Sequence, residues 1–319
     1  MTSDNVDPQF TSGWTAVPDA RIYWESSGAI DGIAVLYLHG GPGSSLGNGG
    51  YRKHHEPQRF RTVGMDQRGC GRSVPRVQDD LGNLSRNNTQ TLIEDIDAVR
   101  ADLGIERWIV TGVSWGSTLA LAYALAHPDR VIGIALVAVT TTSRREVDWI
   151  TEGVGSIFPE AWQNFATAAH ARDGERTVEA YARRLAGPDR EDARAAAMAW
   201  NKWESTHVSL DPSWTPGPLF TDEQESMTFA LLVTHYWSRD GFLSGEGQIT
   251  PRIHQLNGIP AHLIHGRRDV SGPAVTAWML HQRWSGSTLT IVEAEGHGGP
   301  ESMAELTRAV EQIAAGANE

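Results

Sequence analysis

Ser114 sits between two glycines in Gly112-Val113-Ser114-Trp115-Gly116. A serine hydroxyl is a weak nucleophile at neutral pH and attacks a carbonyl only when a base takes its proton. The flanks give this pentapeptide its meaning, since Trp108 to Gly112 reads as a strand and Ser117 to Ala126 as a helix. A sharp strand-to-helix turn lifts such a hydroxyl above a sheet edge and sets it at a helix N-terminus, where negative charge is favoured. The acid and the histidine that serve such a serine come later in the chain, in that order. Asp269 follows the apolar run Ala261 to His265, and His297, between Gly296 and Gly298, follows Thr288 to Val292. We assign His297 as general base and Asp269 as the acid that orients it. The other histidines have plainer readings: His127 precedes Pro128 at a helix end, and His262 and His265 lie along a strand.

Acyl transfer also needs donors for the developing oxyanion. The loop His39-Gly40-Gly41-Pro42-Gly43 follows a strong strand and can aim a backbone N–H there, with the N–H of Trp115, the residue after the nucleophile, as second donor. His39 supports this loop. No Gly-Lys-Ser/Thr follows it, so it is no phosphate cradle of the Walker kind. In Asp66-Gln67-Arg68-Gly69-Cys70-Gly71-Arg72-Ser73, Arg72-Ser73 breaks a dinucleotide fingerprint, and the segment reads as a tight turn under the site with an Asp66–Arg68 ion pair. Cys70 is a far weaker candidate nucleophile than Ser114. His54, His55 and Glu56 are consecutive and do not converge on one ion, so neither metal nor organic cofactor is expected.

The elements that must position these groups alternate. Apolar runs at Ile33–Leu38, Arg61–Met65, Trp108–Gly112 and Val131–Val139 are separated by helical patterns. One such pattern covers residues 91–103, with Thr91 and Glu94 as a capping box and Gly104 as its stop. Strands apolar on both faces between helices predict a mostly parallel, doubly wound α/β sheet. Residues 143–245 are helical in character and hold six of the 12 tryptophans: Trp149, Trp162, Trp200, Trp203, Trp214 and Trp237. The α/β rhythm returns with the strand at Ala261, a helix at residues 274–284, the strand at Thr288 and a helix at residues 301–314. A helical cap over 143–245 therefore interrupts a core made of 1–142 and 246–319.

The chain has 319 residues, enough for about two domain-sized units, and a formal charge of −12. An acidic surface repels phosphate backbones, so nucleic acid is a poor default partner and none is expected. One cysteine rules out an intrachain disulfide, and the chain shows neither a secretory signal at its start nor 18 consecutive apolar residues. A cytoplasmic protein bound to no membrane is expected. Oligomeric state is not readable.

These motifs together resemble the prolyl iminopeptidase family of α/β-hydrolases, serine peptidases that remove an N-terminal residue. The resemblance rests on His39 to Gly43, Asp66 to Ser73, Ser114 to Tyr123 with His127-Pro128, Trp200 to Glu204, His265 to Val270 and Gly296-His297. It implies an α/β-hydrolase fold with a cap, Ser114, Asp269 and His297 as a triad, and Gly41 and Trp115 as oxyanion donors. Members hold the substrate's free amine with cap glutamates. One corresponds to Glu204, beside Trp203. The other position reads Val233, before His235-Tyr236, with Glu223, Glu225 and Asp240 as substitutes between which the sequence does not choose. Val113 also stands where the family has glycine.

The expected activity is release of an N-terminal proline or other small residue from a peptide or aminoacyl amide through an acyl-enzyme. Glu204, Trp203, Val233 and Tyr236 are expected to line the substrate site. The apolar space beside Val233 suggests specialisation for an aminoacylated small metabolite. An esterase or lactonase on the same machinery is the alternative, and a catalytically silent binding module is disfavoured because no triad member is missing.

Overall fold

The computed structural model describes residues 10–208, 210 and 219–317. Trp214 and the first nine residues lie outside the described residues.

Eight strands form one sheet: β1 (Phe10–Val17), β2 (Ala20–Gly28), β3 (Ile33–Leu38), β4 (Phe60–Met65), β5 (Trp108–Val113), β6 (Val131–Val137), β7 (Ala261–Gly266) and β8 (Ser287–Val292). Their order is β1-β2-β4-β3-β5-β6-β7-β8. Strands β3 to β8 pair in parallel, and β2 joins β1 and β4 antiparallel. The β1–β2 hairpin is absent from the sequence reading. Its turn places Asp19 at φ 61, and its exposed outer strand carries Thr, Ser and Gly in place of an apolar run.

The parallel strands are buried on both faces because helices cover both. Val35, Ile109, Ala135 and Ile264 point to one face and meet Leu306, Val310 and Ile313 of the last helix. Leu36, Val110, Leu136 and Leu263 point to the other, in one cluster with Leu92, Ile96, Leu119 and Tyr123. Those last four belong to α1 (Thr89–Asp102) and α2 (Trp115–Ala126). Helix α1 starts earlier than the sequence suggested. Asn88 caps it by accepting from Thr91 N–H, so Thr91 lies inside the first turn and the expected Thr91–Glu94 box does not form.

Between β6 and β7 run α3 (Arg144–Thr151), α4 (Pro159–Ala169), α5 (Thr177–Leu185), α6 (Arg190–Thr206) and α7 (Glu223–Trp237). Helices α4 to α7 pack on one another. A stack of Phe165 on Tyr181 and Trp203, with Trp200 edge-on, forms their centre. The chain then passes through α8 (Ile249–Arg252), α9 (Val275–His281) and α10 (Pro300–Gly316). None of these helices is long and apolar enough to cross a membrane among the described residues.

Candidate active site

Ser114 and the His39–Gly43 loop lie past the carboxyl ends of β5 and β3, where the sheet changes direction, and Asp269 and His297 lie past the carboxyl ends of β7 and β8. Ser114 follows β5 with φ 58 and ψ −126, a conformation that strains a side-chain-bearing residue. Tight packing enforces it. A Cβ on Gly116 would lie 2.1 Å from the Leu38 carbonyl oxygen, and one on Gly112 would lie 2.2 Å from that of Gly116. Both glycines are therefore required for the turn to nest against β3. Helix α2 begins at the next residue, Trp115.

Asp269 and His297 follow β7 and β8, which pair in parallel. Their loops touch so closely that a Cβ on Gly266 would lie 2.0 Å from the Gly296 carbonyl oxygen. His297 Nε2 is 2.9 Å from Ser114 Oγ, and His297 Nδ1 is 2.8 Å from Asp269 Oδ2. The buried Asp269 also accepts from Gly272 N–H at 2.9 Å. Burial alone would raise the Asp269 pKa, but His297, His265 and that N–H outweigh it and hold the carboxyl below its ordinary value. Burial alone would lower His297, yet Asp269 and Glu204 outweigh it and raise its affinity for a proton. A serine, an imidazole and an ionised carboxylate in this line can pass a proton from hydroxyl to ring.

Gly41 and Trp115 both line the cavity around Ser114. Gln67 ties their two segments together. Its amide donates to the His39 carbonyl at 2.8 Å, its own N–H donates to His39 Nε2, and Trp115 Nε1 donates to its Oε1 at 2.8 Å. His39 is buried and its pKa lowered by that burial, consistent with a neutral ring supporting the loop. The expected Asp66–Arg68 pair is corrected. Arg68 forms a bidentate pair with Asp95 of α1, while Asp66 accepts from Arg72 Nε and from the backbone N–H groups of Leu46 and Arg72. Arg68 follows a tight turn and reaches the helix beneath. Cys70 is buried, with its thiol pKa pushed well up by that burial, so it is no nucleophile.

A mostly apolar cavity of about 350 Å³ lies over Ser114 and His297, walled by Val147, Ile150, Phe229 and Trp237. Glu204 lines it too. Burial raises the Glu204 pKa to about 7, against the opposing pull of His297 and of the Trp200 indole N–H, which donates to Glu204 Oε1 at 3.1 Å. The other three expected cap residues stand behind the wall. Trp203 stacks on Phe165 and donates to the Ile150 carbonyl. Tyr236 packs edge-on against Trp115 at 5.0 Å and supports the turn after Ser114. Val233 is fully buried and absent from the lining, a short side chain between Phe229 and Trp237 on one helix face. Among the described residues, Val233 therefore does not meet the active-site cavity.

None of Glu223, Glu225 and Asp240 lines this cavity. Glu223 pairs with Arg194, Asp240 pairs with Arg176, and Glu225 lines a neighbouring depression. Sequence reasoning missed Glu146, a second carboxylate of the wall. Its oxygens already accept from Thr140 Oγ1, Thr141 N–H, Ser143 N–H and Thr276 Oγ1. It therefore pins the start of α3. The only signal for it in the sequence is the Ser143-x-x-Glu146 capping box.

Residues 33–301 match a family model described as the alpha/beta hydrolase fold. The chain is 40% identical over 298 residues to a probable proline iminopeptidase of Streptomyces coelicolor, covering 92% of this chain and 91% of that one. It is 38% identical to the proline iminopeptidase of Neisseria meningitidis over 97% of both chains. It is 37% identical to that of Arabidopsis thaliana over 97% of this chain and 81% of the other. Among solved structures, the proline iminopeptidase of Mycobacterium smegmatis superposes with a TM-score of 0.64 at 19% identity, over 96% of this chain and all of that one, a likeness of fold. With its sequence matched at this level over almost its whole length, the chain belongs to the proline iminopeptidase family of α/β-hydrolases.

Proposed function

We propose that the protein is an aminopeptidase that releases an N-terminal proline, or a residue of similar size, from a peptide or aminoacyl amide. Ser114 attacks the first carbonyl while His297 takes its proton, and Asp269 holds the ring and the charge it gains. The N–H groups of Gly41 and Trp115 receive the oxyanion. His297 then returns the proton to the leaving amine, and water clears the acyl-enzyme. Residues 143–245 act as the cap that shapes the first-residue pocket.

The observation that carries this reading is Glu204. It is a largely buried carboxylate, its side chain 13% exposed, on the wall of the cavity that holds Ser114 and His297. A carboxylate in an apolar wall is costly unless a cation meets it. The free α-ammonium of a substrate supplies that cation, and Val147, Ile150 and Trp237 suit a small apolar ring beside it. The relatives' activity, as named, agrees.

Hydrolysis of prolyl and alanyl β-naphthylamides and of an amine-free p-nitrophenyl ester tests the reading. Cleavage of the amides with a preference for proline is expected, together with labelling of Ser114 by a fluorophosphonate. Ester cleavage without amide cleavage would assign the site to an esterase.

A further inference from the structure

Beside the active-site cavity lies a second depression of about 270 Å³, and the two share Ser44 and Phe220 in their walls. The second is the more polar of the two, and Arg72 and Arg76 line it. Arg72 is held rigidly. Its Nε donates to Asp66 Oδ2 at 2.8 Å, its Nη1 donates to Glu25 Oε1 at 2.7 Å, and its guanidinium lies 4.2 Å from the centre of the Tyr23 ring. Two carboxylates thus neutralise Arg72.

Arg76 has no such partner. It is half-buried, and its guanidinium makes no hydrogen bond or ion pair with any described residue. Glu225, exposed at the other side of the depression, forms no ion pair with it. In a chain of net charge −12, a half-buried cation with no counter-ion among the described residues stands out. We infer that this depression is the site for the leaving residue and that Arg76, with the free edge of Arg72, receives the C-terminal carboxylate of a dipeptide substrate. A planar guanidinium suits a carboxylate better than a point charge does. The inference rests on the aminopeptidase reading and adds a substrate class to it, short peptides whose second residue ends in a free carboxylate.

Steady-state kinetics on prolyl-alanine and prolyl-alaninamide at pH 8 test it, with prolyl β-naphthylamide as a third substrate. A half-exposed charged contact predicts a kcat/KM about fivefold higher for the acid than for the amide, carried by KM. The ratio falls toward one as NaCl rises from about 0.05 to about 0.5 M, because salt screens exposed charge. Arg76→Gln brings the ratio to about one at low salt, and Arg76→Lys retains part of it. A ratio compares two substrates on one preparation, so partial misfolding does not mimic the result. Equal rates for acid and amide in the wild type, or a ratio unaltered in Arg76→Gln, overturns the inference while cleavage of the naphthylamide leaves the aminopeptidase reading standing. Failure to cleave the naphthylamide would remove both.

Discussion

Replacing Glu204 by glutamine is predicted to make the protein more stable and less active. The Glu204 pKa is raised from its ordinary 4.5 to about 7 by burial. A raised carboxyl pKa means that the folded chain binds this proton more tightly than the unfolded chain. Stability therefore falls as pH rises from about 4.5 to about 7, and the full cost is present above that range. At about 1.4 kcal/mol per pKa unit, the ionised carboxylate costs the fold about 3 kcal/mol at pH 8. Glutamine removes the charge and keeps an oxygen for the Trp200 indole N–H. Its amide also faces His207 Nε2, which lies 3.7 Å from the present Oε2 and lacks a hydrogen-bond partner among the described residues. Urea unfolding should show the variant about 3 kcal/mol more stable at pH 8, with the difference shrinking to about 1 kcal/mol or less at pH 5. The same change removes a charged partner from the substrate ammonium, lowering kcat/KM for prolyl amides about 10- to 100-fold. A variant no more stable than wild type at pH 8 would show that the carboxylate carries no such cost, and one that cleaves prolyl amides normally would show that it does not hold the ammonium.

Ser114→Ala and His297→Ala should each lower turnover by about 10⁴-fold or more with circular dichroism and melting temperature near those of wild type; activity within tenfold of wild type would contradict the proposed roles. The acidic limb of kcat/KM should lie near neutrality and steepen toward two protons, because the proposed mechanism needs Glu204 ionised and His297 neutral in the free enzyme. In Glu204→Gln the limb should become single and move to lower pH, since Glu204 is among the groups that raise His297. Gly116→Ala should unfold at markedly lower urea or fail to accumulate, because its methyl would meet the Leu38 carbonyl. Glu25→Ala should cost about 3 kcal/mol in urea titration, because it strips a buried carboxylate from Arg52, Arg72 and Tyr51.

The parallel half of the sheet was legible because its strands are short unbroken apolar runs between helical patterns, and that pattern has few other solutions. The β1–β2 hairpin was not, since an edge strand can be polar and still pair. Ser114, Asp269 and His297 were visible through local signals, a glycine on either side of the serine and of the histidine and the order of the three along the chain. Gln67 and Glu146 lacked such signals. Their placement depends on hydrogen bonds to residues from other elements, as with Gln67 and Trp115. Val233 misled for a different reason. Helix α7 is buried on every side from Thr228 to Trp237, so its sequence carries no polar face to show which residues meet the cavity. Arg68 shows the same limit, because nearness to Asp66 in sequence was a poorer guide than the helix packed beneath it.

Recognition of a free amine by the cavity is the step on which the proposed function depends. It is tested most directly by kcat/KM of the wild-type protein on prolyl β-naphthylamide and on its N-acetylated form at pH 8. Rapid cleavage of the free-amine amide is expected, with the acetylated one at least about 100-fold slower, since it leaves the largely buried Glu204 without a cation. Comparable rates on the two would contradict it, and would mean that Glu204 has no part in holding the substrate.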